Sequence, residues 1–331
     1  MINQYFERLT MKILKVEKNE AGQRLDKLLS KQLNKAPKSF IYKMLRKKNI
    51  TLNGKKAEGS EITQINDEIK LFLSDETIEK FSENNETTVV EREFDIVYED
   101  NNILVVNKPA GLLSQKSVPE DISLVEQVIS YLLTSGQITH EQLKTFKPSI
   151  CNRLDRNTSG LVVTGKSLIG LQTMSRLFRD RSLHKYYLCI VKGMIEKPSH
   201  ISGYLRKDEK TNQVTVSKTK FNDSESIQTE YEPIQYNEDY TLLRVKLITG
   251  KTHQIRAHLS SIGHPIVGDS KYGDINMNKW IKKQFGLEHQ LLHSYEVIFP
   301  KMTGEFQHLS NMKLTAKEPE VFKRIEDQLF T

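Results

Sequence analysis

The chain has 331 residues, 37% of them hydrophobic, enough for a sizeable core and for about two domains. No run approaches the roughly 18 apolar residues of a membrane helix, and the start Met1-Ile2-Asn3-Gln4-Tyr5-Phe6-Glu7 has no basic stretch leading into an apolar one, so neither a membrane span nor export is expected. The two cysteines, Cys151 and Cys189, lie far apart without a CxxC partner, which argues against a disulfide framework or a zinc cluster and fits a reducing cytoplasm.

The net charge of +7 is unevenly spread. Residues 1–75 carry 16 Lys and Arg against 9 Asp and Glu, residues 76–93 carry 2 against 6, and the remainder 31 against 27. The first segment therefore reads as a small basic domain. On a helix of 3.6 residues per turn, Leu25, Leu28, Leu29 and Leu33 share one side while Arg24, Lys27 and Lys31 share the other. A second helix, opened by Pro37, repeats the scheme: Phe40, Ile41, Met44 and Leu45 are apolar, and Ser39, Tyr42, Lys43, Arg46 and Lys47 polar. Asn53-Gly54 after an alternating apolar run predicts a tight hairpin, and Glu68 to Leu73 a closing strand. Two basic-faced helices over a small sheet, with Arg24-Leu-Asp-Lys-Leu-Leu29 and Ile50-Thr-Leu-Asn-Gly-Lys55, resemble the RNA-binding domain first recognised in small-subunit ribosomal protein number four. The resemblance implies an α/β RNA-binding domain over 1–75. Its expected RNA contacts are Arg24, Lys27, Lys31, Ser39, Tyr42, Lys43, Arg46 and Lys47, since phosphates reward clustered cations by releasing counterions.

Residues 76–93 are polar and acidic with little to bury, and read as a flexible linker. From 94 to 331, strand and helix patterns mix without a βαβ rhythm. Short strands are expected at Phe94–Tyr98, Ile103–Asn107, Tyr186–Val191 and Leu242–Ile248, and helices at Leu124–Leu133 and Leu168–Arg181. The class expected is α+β, a mixed and largely antiparallel sheet.

Four segments of this second domain carry chemistry. Asn152-Arg-Leu-Asp155-Arg-Asn-Thr-Ser-Gly160 places a carboxylate between two arginines, where it stays ionised, at a turn before the apolar run Leu161–Val163. Alone it would read as a surface turn with ion pairs. It is joined, in order, by the strand Lys185-Tyr-Tyr187-Leu-Cys-Ile-Val191-Lys-Gly193 and by Gly250-Lys251-Thr252-His253-Gln254-Ile255-Arg256, after Asn107-Lys108-Pro109-Ala110-Gly111 upstream. Together these resemble the RluA-type RNA pseudouridine synthases, from about Leu14 to Phe299, with Asn152 where that family carries His and Lys251 where Arg is more usual.

The resemblance implies that Asp155 is the nucleophile, attacking the sugar or the uracil ring. Tyr187 would stack on the flipped base or move a proton, and Arg256 would pair with Asp155. Arg153 and Arg156 would position RNA, and Asn107–Gly111 would shape the pocket. The implied substrate is RNA, ribosomal first and transfer RNA second, handled by a monomer in the cytoplasm without metal or cofactor. Tyr186 and Tyr187 point to opposite faces of a strand, so one of them enters the pocket.

Three other readings fail or compete. Gly160–Ser167 fits the literal P-loop pattern, but Leu161-Val162-Val163-Thr164 is β-prone and a turn, not a strand, precedes it. His253 and His258 stand five apart, roughly 140° around a helix, which is wrong for a helical metal pair. They and His264 are expected to be structural or RNA-facing. The rival function, an RNA-binding assembly factor without catalysis, is disfavoured by Asp155, Tyr187 and Arg256 occurring together.

Overall fold

The computed structural model describes residues 11–82 and 88–331. The N-terminal module runs β1 (Met11–Lys15), α1 (Leu25–Gln32), α2 (Lys38–Arg46), β2 (Ile50–Leu52), β3 (Lys55–Lys56), β4 (Glu68–Phe72) and α3 (Asp75–Phe81). Its antiparallel strands lie in the order β1-β4-β2-β3. Asn53 and Gly54 both take left-handed φ, 50° and 72°, as a two-residue hairpin turn of this kind requires. Leu25, Leu28, Leu29 and Leu33 bury with Ile41, Met44, Leu45, Ile50, Ile69 and Leu71. Each such side chain stabilises the fold by roughly 1.5–3 kcal/mol relative to exposure. All eight expected RNA contacts are exposed, on the faces that the helical period leaves outside.

The linker expected over 76–93 starts inside an ordered element. Ser74 accepts the Thr77 N–H at 3.3 Å to cap α3, and Ile78 and Phe81 pack on the module's core. Phe81 meets Phe40 with ring centroids 4.4 Å apart. The acidic composition that suggested a linker suits a helix start, because Asp75 and Glu76 face the positive end of the helix dipole. Residues 83–87 of that span fall outside the described residues.

The chain continues as β5 (Asp95–Glu99), β6 (Ile103–Lys108), α4 (Leu124–Thr134), α5 (His140–Leu143), β7 (Ser149–Ile150), β8 (Ser159–Gly165), α6 (Leu168–Arg179) and β9 (His184–Lys192). After these come β10 (Ser199–Asp208), β11 (Gln213–Ser217), β12 (Glu225–Tyr236), β13 (Tyr240–Leu247), α7 (Gln254–Ser261) and α8 (Ile275–Phe285). The last elements are β14 (Leu292–Ile298), a 3-10 turn at Gly304–Leu309, β15 (Lys313–Thr315) and α9 (Glu320–Leu329). By packing, one compact unit comprises, of the described residues, 11–82, 88–92, 126–149 and 166–170, and the other 93–125, 150–165 and 171–331. Within the first unit, Thr145 Oγ1 donates to Glu20 Oε1 at 2.6 Å and the Leu168 N–H to Asn19 Oδ1 at 3.2 Å.

The class is α+β. The large sheet runs β11-β10-β12-β13-β9-β14-β8-β6-β5, and among the described pairs β14 with β8 alone is parallel. Gly160 makes that pairing fit: its φ is +109°, and a Cβ there would lie 2.2 Å from the Ser294 carbonyl oxygen. Gly160–Gly165 of the P-loop pattern is buried strand, with Gly165 pressed against the backbone of Leu171, and Lys166 and Ser167 follow as a bend.

Candidate active site

Asp155 sits in the loop that feeds β8, and its neighbours hold that loop in place. The Ser114 hydroxyl donates to the Leu154 carbonyl at 2.7 Å and accepts the Leu154 N–H at 3.0 Å. Asn152 pairs with β8 on both sides of its amide, donating to the Leu161 carbonyl at 3.2 Å and accepting the Val163 N–H at 2.8 Å. Neutral donor-and-acceptor chemistry of this kind accounts for an asparagine there. Lys108, fully buried, donates from Nζ to the carbonyls of Pro109 and Leu112, both at 2.8 Å, and of Arg156 at 3.0 Å. Burial pulls its ammonium down to about 7 against the pull of the Asp155 charge, while three carbonyls engage all three protons of the charged form. Sequence reading gave the Asn107–Gly111 segment a shaping role but passed over Lys108, whose signal was a lysine at the end of a buried apolar run.

The Asp155 side chain is 27% exposed and Arg256 is 6% exposed, with Arg256 Nη1 donating to Asp155 Oδ2 at 2.9 Å. The other edge of the guanidinium is clamped by Asp269, Nε to Oδ2 at 2.7 Å and Nη2 to Oδ1 at 2.9 Å. Asp269 in turn accepts the N–H groups of Lys271 and Tyr272 at 2.8 and 3.0 Å. Burial opposes the Arg256 charge, but the hydrogen bond and charge of Asp269, joined by Asp155, raise its pKa above the ordinary arginine value. Asp269 also resists burial, because Arg256 and two backbone donors keep it below the usual carboxylate range. Asp269 was missed in the sequence. Its signal was the Gly-Asp-Ser-Lys-Tyr-Gly turn, 268–273, an acid flanked by turn glycines.

Tyr187 lines the same cavity at 6% exposure. Burial pushes its phenol up to about 12; a hydrogen bond with Ser294 opposes this and the Asp155 charge adds to it, so the ring is protonated at neutral pH. Tyr186 faces the other way, under the Arg244 guanidinium at 3.7 Å. The cavity, about 840 Å³, is also lined by His253, Gln290 and the exposed Arg153. Arg156, likewise exposed, is tied by Nε to the Gly111 carbonyl at 3.0 Å. Lys251 pairs with Glu225 and lines the cavity rim. Arg256 is the third residue of α7, in its first turn.

Of the three histidines, His258 bonds Thr229 Oγ1 at 3.0 Å and His264 the Lys192 carbonyl at 2.9 Å, both away from the pocket chemistry. His253 is different. It opens α7 in a left-handed conformation, φ 51°, which costs a non-glycine residue roughly 1–2 kcal/mol, and its Nε2 lies 3.8 Å from Asp155 Oδ2.

In the module, the seven basic and aromatic positions among the eight divide into two kinds, with Ser39 exposed beside them. Arg24 forks onto Asp26 at 3.0 and 3.1 Å, Tyr42 donates to Asp26 at 2.8 Å, and Lys31 donates to Gln23 at 2.7 Å. Arg24's hydrogen bond holds the Asp26 carboxyl down to about 2. Lys27, Lys43, Arg46 and Lys47 are exposed, with no partner among the described residues.

The family model described as RNA pseudouridylate synthase matches residues 102–261, and the S4 domain model matches 23–69. A Mycoplasma genitalium protein named as an uncharacterized RNA pseudouridine synthase is 32% identical over 303 residues, 90% of this chain and 93% of that one. The chain belongs to the RNA pseudouridine synthases. Ribosomal large subunit pseudouridine synthase C of Escherichia coli is 28% identical to this synthase over 338 residues, 97% of each chain. Its counterpart in Vibrio parahaemolyticus is 29% identical over 315 residues, 92% of this chain and 91% of that one. The solved human RNA pseudouridylate synthase domain containing 4 shares the fold, with TM-score 0.54 and 23% identity over 71% of this chain and 92% of that one. The synthase is an RNA-binding isomerase of the RluA type.

Proposed function

We propose that this synthase isomerises particular uridines of large-subunit ribosomal RNA, with Asp155 as its nucleophile. The names of the synthase C relatives support the ribosomal substrate. One observation carries the role of Asp155: its carboxylate opens into the cavity while a guanidinium already neutralised on its far edge by Asp269 holds it in place. Such a carboxylate is held in direction without being engulfed by its partner. The reaction breaks the bond from ribose C1′ to uracil N1, forms one from C1′ to C5, releases the proton of C5 and leaves N1 to take up a proton, so the product is an isomer of the substrate. Asp155 attacks the nucleotide, Arg256 orients the carboxylate, and Tyr187 supplies a flat ring against the extracted base with a protonated hydroxyl beside it. Arg153 and the unpaired cations of the module contact phosphate.

Ribosomal RNA labelled with tritium at C5 of uracil tests the proposal. The wild type releases label, and Asp155→Ala releases it roughly 10⁵-fold more slowly while still binding RNA. Undiminished release by Asp155→Ala overturns the nucleophile. Release from transfer RNA and not from ribosomal RNA overturns the substrate.

A further inference from the structure

His253 is unexplained by the roles given to Asp155, Tyr187 and Arg256, yet its ring is more tightly specified than a helix-opening residue needs. Tyr272 Oη accepts the Val214 N–H at 2.9 Å and lies 2.9 Å from His253 Nδ1. A phenol has one proton, and no other acceptor for it stands at Tyr272 Oη among the described residues. The network therefore assigns that proton to Nδ1 and leaves the imidazole N–H on Nε2. The ring also meets Tyr272 edge-on, with centroids 5.7 Å apart and planes at 66°.

Nε2 faces the cavity. Its separation of 3.8 Å from Asp155 Oδ2 is beyond hydrogen-bond length, and it has no acceptor among the described residues. The donor is thus fixed in direction and free in use, next to the atom that attacks. Burial keeps the ring below the ordinary histidine range and neutral at pH 7, so it presents a dipole rather than a charge. The left-handed backbone at His253, open more cheaply to glycine or asparagine, points to function at this residue. One turn, Gly268–Gly273, sets both donors that face Asp155: Asp269 fixes Arg256 and Tyr272 fixes His253.

Resting on the assignment of Asp155, we infer that His253 Nε2–H donates a hydrogen bond to an oxygen of the reacting nucleotide, a uracil carbonyl or a ribose hydroxyl, with Tyr272 as the positioning residue that selects its tautomer. The full-length chain tests this in single-turnover tritium release. His253→Leu slows release roughly 10²-fold with RNA binding retained, and His253→Gln, whose amide N–H reaches a similar point, recovers about tenfold of that loss. Tyr272→Phe slows the wild type roughly tenfold but adds nothing to His253→Gln, because an amide has no tautomer to select. That non-additivity is what a merely structural tyrosine would not produce.

With a 2′-deoxyuridine target, a persisting penalty for His253→Leu assigns the acceptor to uracil, and a vanishing one to the ribose 2′-hydroxyl. Wild-type rates in His253→Leu, equal losses for Leu and Gln, or additive losses with Tyr272→Phe overturn the inference. Asp155→Ala in the same series keeps the two readings apart, since its rate reports on the nucleophile whatever the His253 variants do.

Discussion

The cations of the N-terminal module and those around Asp155 teach opposite uses of the same charge. Lys27, Lys43, Arg46 and Lys47 stand in solvent with no partner among the described residues, whereas Arg256 is held by two carboxylates and Lys108 by three carbonyls. A solvated cation is screened by salt within about 10 Å at 0.1 M and is interchangeable with its neighbours, which suits a backbone of repeating phosphates. A buried cation held by several acceptors is barely screened, and its fixed N–H groups transmit direction to whatever they touch. The first kind supplies affinity; the second supplies geometry.

The contrast is broken most sharply at Asp269. Asp269→Asn leaves Arg256 with one carboxylate and lets the guanidinium swing from its clamped plane, so release of tritium should fall roughly 10²-fold. Stability in urea should fall by about 3 kcal/mol, the scale for breaking a buried ion pair. Lowering the salt should recover none of the lost rate, because the deficit is one of orientation. A wild-type rate in Asp269→Asn would show that something else aims Arg256.

Acid should separate the regions next. His258 and His293 are both buried, and burial lowers each to about 4, with the Ser202 backbone and the Ala316 carbonyl acting in the opposite sense. Above the ordinary histidine pKa of about 6.5 both states are neutral and nothing is lost. As pH falls from about 6.5 to 4 the unfolded chain binds protons that the folded chain refuses, so stability declines by about 1–3 kcal/mol per histidine and levels off below pH 4. The module, residues 11–82, has no histidine, and Asp26 stays ionised down to about 2. Hydrogen exchange at pH 7 and 5, corrected for intrinsic rates, should show protection falling around β12 and β14 and holding in β2 and β4. A uniform fall would contradict the assignment, and His293→Gln should flatten the dependence.

Legibility in the sequence follows the same division. The helix faces of the module could be read because their partners lie three and four residues apart, and all eight surface positions came out on the outer side. The convergence of Asp155, Tyr187 and Arg256 was readable only as resemblance, since no local period joins positions 101 residues apart. Asp269, His253, Tyr272 and Lys108 were missed as partners because what defines them is a contact across the fold or a left-handed φ. Strands β10 to β12 were left unassigned for another reason: their burial alternates weakly, with Ile227 and Thr229 the fully buried pair in β12, so the apolar period that marks a strand is faint. The acidic stretch after residue 75 misled through composition, which does not distinguish a linker from a helix with acids at its positive end.

The smallest effect sharpens the comparison inside the module itself. Neutralising Lys27, Lys43 or Lys47 to Gln removes a cation that has no protein partner among the described residues, so the slope of log affinity against log salt should flatten by roughly 0.7–0.9 for each phosphate left without its cation, and affinity should drop only a few-fold. Arg24→Gln should change the slope less, because Asp26 already neutralises that guanidinium in the free protein and a phosphate gains little from it. Filter binding of ribosomal RNA fragments across a salt series measures both. An Arg24 slope change as large as that of Lys27 would mean that RNA displaces Asp26 from the fork, and Asp26→Asn would then tighten binding rather than leave it unchanged.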